Sequence, residues 1–357
     1  MTSTELSNRP AYRYRIAVGL FFLAPLIGEF LLGNLPITWL GTIVLMAPLY
    51  GGGSILIRET ARRFRMNWTG ILALCATYSV AEEAFVTYSL FNPNYVGQRL
   101  LDPGYIPILG IGAWWTVFVF GLHVIWSTAI PIAIAETWAG PDRTRPWIGR
   151  VGLALVAVIC AGGSVALNRL SVIGDPTGFQ PSVAQFVGAA IVCAGFLACA
   201  FTLGRRQPAS ADHEADVPGA PGAANHIDPP TVAPSPWTVG VAGLLLGSAY
   251  MISTVLQGIV VVSVSSMLIA MAVAWRLGVV WSQRPGWGDL HRLAYAAGGM
   301  CTYIWWGLMM PPSVGNETPW QVDLAGNLIF SAAALTMTVL TVKALNSRST
   351  SPAVLDA

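Results

Sequence analysis

The chain contains a series of apolar runs, each near the roughly 20 residues that an α-helix needs to cross the hydrocarbon core of a bilayer. Short stretches that contain Arg, Pro and Gly separate these runs. Apolar residues make up 54% of the 357 residues and charged residues only 10%. That leaves too few polar side chains to cover a soluble globule of this length. The sequence therefore predicts an all-α, polytopic integral membrane protein whose surroundings are a lipid bilayer.

About ten runs are long enough to form transmembrane helices. The predicted spans are 14–35, 37–57, 68–90, 107–138, 149–170, 182–204, 237–257, 258–276, 291–310 and 321–345. The run 107–138 is long enough to tilt, to kink or to begin with an interfacial segment. The sequence thus predicts a multi-pass helical bundle.

The distribution of basic residues is an independent test of the helix count, because Lys and Arg accumulate at the cytoplasmic ends of membrane helices. If the N-terminus is cytoplasmic, 17 of the 19 basic residues fall in inner segments, and only Arg99 and Arg169 fall in outer ones. One helix more or fewer in mid-chain would invert the pattern after it. The alternation therefore favours ten helices with both termini in the cytoplasm.

The net charge of +2 follows from this sidedness and gives no reason to expect nucleic acid as a partner. Arg is preferred over Lys, and Ala and Gly are abundant. This composition suggests a high-GC bacterial source, and the expected location is the bacterial plasma membrane. The sequence does not indicate an oligomeric state.

Residues 205–236 interrupt the series of apolar runs. This segment is rich in Ala, Pro, Gly and Asp and nearly free of large apolar side chains, so burial cannot offset the entropy cost of ordering it. We expect a disordered cytoplasmic linker. It divides the chain into a six-helix membrane domain, 1–204, and a four-helix membrane part with a short cytoplasmic tail, 237–357.

Ionisable side chains inside the predicted spans are the best pointers to function, because they are costly at membrane depth unless they are paired or hydrated. At about 1.5 Å per residue, Glu29, Glu82, Glu83 and His123 fall in one layer in the outer half of the bilayer. Glu136 lies some 20 Å deeper, since it follows His123 by 13 residues. We expect Glu136 to form a salt bridge with Arg62, Arg143 or Arg145.

A glutamate beside a histidine in a dry environment can act as general base and acid. Adjacent side chains point about 100° apart on an α-helix, so we expect one of the two glutamates to face the site and the other to face a structural partner. The alternative interpretation is a polar network that fixes helix packing. The candidate catalytic residues are Glu82, Glu83 and His123. The candidate substrate-binding residues are Glu29, Tyr88, Asn94, Trp126 and Ser127.

No cofactor or metal site is expected, because the sequence offers a single deep histidine and neither an HExxH motif nor a Cys/His cluster.

Residues 81–87 (AEEAFVT), followed by residues 120–123 (FGLH) on the next helix, resemble the signature of the CPBP family of CAAX-protease and bacteriocin-processing membrane proteins. The resemblance covers about residues 60–130. It implies a polytopic core in which Glu82 is the water-activating base for peptide hydrolysis, Glu83 is its neighbour and His123 is the second-motif histidine. Thr87 stands where the motif EExxxR has Arg, and Val119 stands where FxxxH has Phe.

Three functions remain open at this point, each with a hydrophobic or membrane-associated substrate. The first is an intramembrane, glutamate-dependent hydrolase of the CPBP type. The second is a proton-coupled transporter or exporter that uses the polar layer as a proton relay. The third is a membrane-integral prenyl, terpene or lipid cyclase or transferase, in which the ring faces of Trp114, Trp115, Trp126 and Tyr88 stabilise a cation.

Overall fold

The computed structural model describes residues 10–175, 177–205, 232–313 and 317–350, with side chains to 348. The α-helices in these ranges are α1 (Pro10–Pro25), α2 (Ile43–Arg63), α3 (Trp68–Ala81), α4 (Ala113–Gly121), α5 (Ile130–Ala139), α6 (Arg150–Gly174), α7 (Val183–Thr202), α8 (Pro236–Thr254), α9 (Val260–Ser282), α10 (Asp289–Gly307) and α11 (Trp320–Thr350). Three π-helical segments continue α1, α3 and α4: π1 (Leu26–Leu31), π2 (Glu82–Val86) and π3 (Leu122–Ala129). Short 3-10 helices cover Ile37–Thr42, Tyr95–Gly97 and Gly140–Thr144.

These elements form helical segments at all ten predicted positions, because α4, π3 and α5 are parts of one span. Within the described ranges, nine segments are long and apolar enough to cross a membrane. The tenth, α10, is less apolar because its first turn carries Asp289, His291 and Arg292. It packs closely on α8, where a side chain at Gly298 would collide with the Gly240 carbonyl. The all-α polytopic bundle is confirmed.

The segment between π2 and α4 differs from the prediction. The third predicted span ran to residue 90, but the helix ends at Val86 and Tyr88 has a φ of 60°. The fourth was predicted to begin at residue 107, whereas Tyr105–Ile106 and Ile111–Gly112 pair as an antiparallel hairpin, β1 and β2. Gly110, with a φ of 65°, allows the chain to turn there. Residues 87–112 therefore form a loop instead of a continuation of the membrane helices, and because the predicted topology places it on the outer side it is called the outer loop.

Three consecutive glycines let α2 contact its neighbours closely. A Cβ at Gly51 would lie 1.9 Å from the Phe21 carbonyl oxygen of α1, and one at Gly53 would lie 2.3 Å from the Tyr78 ring of α3. Helix α2 continues unbroken through this run. The glycines therefore serve close helix packing, and this places α1 and α3 on either side of α2.

A buried ionic network joins α2 to α5 at the predicted cytoplasmic end. The Arg62 guanidinium donates to both oxygens of Glu136, from Nε at 2.6 Å and from Nη2 at 2.5 Å. Arg58 bridges Glu136 at 3.3 Å and Glu59 at 2.5 Å. Pairing of Glu136 with Arg62 is confirmed, and Arg58 is a second partner.

The last four helices pack on α4, π3 and α5 through buried aromatic side chains. The Trp126 indole donates to the Gly299 carbonyl at 2.8 Å, and its ring stacks on Tyr303 at 4.7 Å. The Tyr250 hydroxyl donates to the Val117 carbonyl at 2.7 Å. Most of the predicted linker, 206–231, lies outside the described residues.

Candidate functional site

The ionisable residues of the outer layer all lie in π-helical segments. Glu29 belongs to π1, Glu82 and Glu83 belong to π2, and His123 belongs to π3. All four side chains are buried, with exposed fractions between 2% and 8%. π-Helical turns are rare and occur frequently at functional sites. Their coincidence with the buried charged groups marks this layer as the candidate site.

Two threonines, Thr128 and Thr87, donate hydrogen bonds to carbonyl groups in two of these segments. Thr128 donates to the His123 carbonyl at 2.7 Å and to the Val124 carbonyl at 3.0 Å. At the end of π2, the Thr87 backbone N–H bonds to the Glu82 carbonyl five residues earlier, at 3.0 Å. Since i→i+5 bonding is the π-helical pattern, these contacts stabilise the wide turns that carry the site.

His123 lies between the two adjacent glutamates. Its Nε2 is 2.7 Å from Glu83 Oε1, and its Nδ1 is 3.1 Å from Glu82 Oε2. Both glutamates therefore contact the same imidazole, one at each ring nitrogen. A π-helical turn contains more residues than an α-helical turn, so successive side chains diverge less. The imidazole also offers nitrogens on two sides of its ring.

Glu83 is held at both carboxylate oxygens. Besides the contact of Oε1 with His123, Oε2 accepts hydrogen bonds from the Ser89 hydroxyl and from the Thr87 hydroxyl, the latter at 3.0 Å. The Trp115 indole donates to the Ser89 oxygen at 3.1 Å. Because its acceptors are used, Glu83 is suited to orient His123.

Glu82, unlike Glu83, has a carboxylate oxygen that accepts no hydrogen bond from the described residues. Its Oε2 and the facing Nδ1 of His123 are both buried, and neither has a hydrogen-bond partner among the described residues. The hydroxyl of Tyr78, one turn earlier in α3, is also buried, and it lies beside the Glu82 carboxylate. Unsatisfied buried polar atoms cost about 1–3 kcal/mol each and call for a physical reason. Their convergence gives this side of His123 the capacity to bind a polar ligand.

Glu29 reaches the same site through Tyr50. The Tyr50 hydroxyl and the Asn34 amide each donate to one oxygen of the Glu29 carboxylate. The Tyr50 ring packs on the His123 imidazole, with ring centroids 5.7 Å apart. Ser127 lies beside π1, since a Cβ at Gly28 would be 2.9 Å from the Ser127 hydroxyl.

The outer loop brings Tyr95 close to the charged layer. Burial raises the pKa of the Tyr95 hydroxyl, and the negative charges of Glu83, Glu29 and Glu82 raise it further. The three carboxylates thus act on a group outside the membrane-spanning segments.

The remaining predicted binding residues, Tyr88, Asn94 and Trp126, contact residues other than the glutamates and His123. The Tyr88 ring packs edge-on against Phe186 of α7, with centroids 5.8 Å apart. Asn94 lies in the outer loop, where its N–H donates to Asn92 Oδ1 at 2.9 Å. Trp126 is part of the contact with Tyr303 in α10 described above. The structure thus brings together Glu29, Ser127 and the three candidate catalytic residues, whereas Tyr88, Asn94 and Trp126 make these contacts with other residues.

Sequence reasoning missed several polar residues of the site, namely Asn34, Tyr50, Tyr78 and Ser89. Tyr50 and Tyr78 lie inside apolar runs, and hydropathy alone does not distinguish them from aromatic side chains that face lipid. A buried tyrosine hydroxyl usually finds a partner. The depth of Tyr50 and Tyr78, close to that of the buried glutamates, could therefore have indicated them as hydrogen-bond partners of those carboxylates.

The fold and site define a multi-pass membrane protein with a buried polar centre between its first helices. The chain belongs to an uncharacterized membrane protein family, whose model matches residues 19–353. No curated protein and no solved structure matches the chain. The family match supports the membrane character, and it does not show the resemblance to CPBP proteins.

Proposed function

We propose that the protein is an intramembrane hydrolase in which Glu82 and His123 activate a water molecule for attack on a peptide bond. The observation that carries the proposal is the buried pair of Glu82 Oε2 and His123 Nδ1, 3.1 Å apart and without hydrogen-bond partners. A water at this position would contact a carboxylate acceptor and an imidazole together. That is the arrangement needed for general acid–base catalysis.

The three residues have distinct roles in the reaction. Glu82 accepts a proton from the water, and the water oxygen forms a bond to the substrate carbonyl carbon. The C–N bond then breaks, and the proton passes from Glu82 to the leaving amine. His123 hydrogen-bonds to the reacting oxygen, while Glu83 fixes the ring from Nε2 at 2.7 Å.

The substrate class follows from the location of the site. The catalytic layer lies within helices that are apolar enough to span a membrane, so a substrate has to be hydrophobic or membrane-associated to reach it. The resemblance of residues 81–87 and 120–123 to CPBP motifs supports a peptide bond as the target.

The test is hydrolysis of membrane-embedded peptides by purified protein in lipid nanodiscs, in heavy-oxygen water. We expect wild-type protein to introduce the heavy oxygen into new carboxyl termini, detected by mass spectrometry. Glu82→Gln should lower the rate by about 10²–10⁴-fold, the typical contribution of a general base. Glu317→Gln is the matched control, since Glu317 is exposed in a loop. A rate for Glu82→Gln equal to that of the control would refute the proposal.

Proton-coupled transport is the second candidate, favoured by the contacts that connect Glu29 through Tyr50 to His123. Such a series could pass a proton along the layer. Substrate uptake into sealed vesicles that requires a pH gradient, with no new carboxyl termini formed, would support transport and contradict hydrolysis.

A further inference from the structure

We infer that the site binds a divalent transition-metal ion between Glu82 and His123, with zinc the ion whose ligand preferences fit best. This inference does not depend on the hydrolase proposal, and it gives Glu82 a different role, because a carboxylate oxygen that is bound to an ion is not free to accept a proton from water. It rests on three features: the spacing of two unpartnered atoms, the group behind the histidine, and the charge of the layer.

The first feature is the geometry between Glu82 Oε2 and His123 Nδ1. Their distance of 3.1 Å is short enough for a hydrogen bond, yet both buried atoms lack one. Zinc bonds to nitrogen and oxygen ligands are about 2.0–2.2 Å long, which places tetrahedral ligands roughly 3.3 Å apart. The two atoms therefore have the spacing of ligands that share an ion.

The second feature is the carboxylate behind the imidazole. A metal-binding histidine almost always donates its other ring N–H to a carboxylate, a carbonyl or water, which fixes the ring and its tautomer. Glu83 Oε1 is 2.7 Å from His123 Nε2. Glu83 is itself held by Ser89 and Thr87. The histidine that would bind the ion and the carboxylate that would support it are thus already in contact.

The third feature is the charge of the layer. Glu29, Glu82 and Glu83 are buried around a single imidazole. The nearest buried arginines of α2 in the described chain, Arg58 and Arg62, are bound to Glu59 and Glu136 instead. A divalent cation would offset the cost of holding several carboxylates at membrane depth.

The ligand number sets the character of the site. One ligand atom each from Glu82, Glu83 and His123 lies within 4.8 Å of the others. With Glu82 and His123 bound to the ion and Glu83 supporting, two tetrahedral positions remain for water, one more than in catalytic zinc sites, which have three protein ligands. We therefore expect an exchangeable ion that a chelator removes. A bound ion would supply Lewis-acid polarisation of a water at this position.

The experiment is metal titration of purified, chelator-stripped protein in detergent. Co²⁺ serves as the spectroscopic probe through its visible absorption, and Zn²⁺ competes with it. We expect one ion per chain. His123→Ala and Glu82→Gln should abolish binding, and Glu83→Gln should weaken it about 10–100-fold, as loss of a supporting carboxylate does. The matched control is His213→Ala/His226→Ala, which removes two imidazoles outside the described residues.

Wild-type protein that binds no Co²⁺ or Zn²⁺ would overturn the inference, as would unchanged binding in both His123→Ala and Glu82→Gln. X-ray absorption at the zinc edge of the wild-type protein gives a result that does not depend on variants folding. Nitrogen and oxygen ligation that includes imidazole supports the site, and sulfur ligation contradicts it. Binding without hydrolysis contradicts only the proposed function, whereas hydrolysis without metal binding contradicts only this inference.

Discussion

Glu83 Oε1 lies 2.7 Å from Nε2 of His123, and this contact ties π2 to π3 at the depth of the candidate site. Glu83→Gln keeps the shape of the side chain but removes its charge, so the bonds from His123, Ser89 and Thr87 lose their charge assistance. We expect a loss of about 1.5–3 kcal/mol in the free energy of unfolding. Thermal unfolding of the purified variant in detergent measures it.

The same substitution distinguishes the role of Glu83, which is to orient His123, from the role of Glu82, which is to activate the water. Under the proposed mechanism Glu83→Gln should retain part of the hydrolysis that Glu82→Gln loses, because Glu82 still faces the ring. Equal loss of activity in the two variants would contradict the distinct roles given to the adjacent glutamates.

Tyr50→Phe tests the connection between Glu29 and the site. The variant retains the ring that packs on His123 and deletes the hydroxyl that donates to Glu29. Glu29 then keeps only the Asn34 amide as a donor from the described residues. We expect a destabilisation of about 1–3 kcal/mol, the cost of leaving a buried acceptor without its partner.

Tyr12→Phe is a suitable control for Tyr50→Phe, because the Tyr12 hydroxyl donates to the Trp138 carbonyl far from the candidate site. If proton-coupled transport is the function, Tyr50→Phe should slow uptake and Tyr12→Phe should not. Equal unfolding midpoints for wild type and Tyr50→Phe would show that the hydroxyl is not a structural partner of Glu29.

The buried ionic network predicts a large difference between two arginine substitutions. Arg58→Ala leaves Glu59 with one partner fewer and deletes the guanidinium that packs 3.4 Å from the centre of the Trp147 ring. Breaking such a buried pair costs about 3–5 kcal/mol. Arg99→Ala breaks an exposed pair with Asp102 and should leave the unfolding midpoint nearly unchanged. Similar midpoints for the two variants would contradict the buried network.

Two glycine substitutions test helix packing in the same manner. Gly51→Ala would place a methyl group 1.9 Å from the Phe21 carbonyl oxygen, so α1 and α2 have to separate. We expect a cost of at least about 1–3 kcal/mol from overpacking. Gly162→Ala in α6 has open space around the added methyl and should stabilise by about 0.5–1 kcal/mol. Thermal unfolding measures the stability of both variants. A Gly162→Ala variant that is less stable than wild type would contradict the open space around Gly162.

The sequence was sufficient to predict the bundle because membrane solvation acts on each helix separately. A span such as Arg150–Gly174 is read from its own apolar residues, whatever it contacts. The outer loop was misread for the same reason, since the apolar residues around Ile108 and Leu109 continue the hydropathy of α4 although they lie in a hairpin.

The contacts within the site could not be predicted from hydropathy alone. Depth along a helix was enough to group Glu82, Glu83 and His123, because rise per residue is nearly constant. The π-helical turns were not predictable from apolar periodicity, and they decide that both glutamates contact one imidazole. The role of Tyr50 depends on α1, α2 and π3 meeting, which is a property of tertiary packing.

The sidedness of the bundle is the last prediction, and it rests on the alternation of basic residues. Arg99 lies exposed in the outer loop, and Arg150 lies exposed at the start of α6, at the opposite end of the span that begins at Ala113. In intact cells, a membrane-impermeant maleimide should label Arg99→Cys but should label Arg150→Cys only after permeabilisation. Wild-type protein gives the background, because five native cysteines are present. Labelling of Arg150→Cys in intact cells with protection of Arg99→Cys would invert the topology and place Glu82, Glu83 and His123 in the inner half of the membrane.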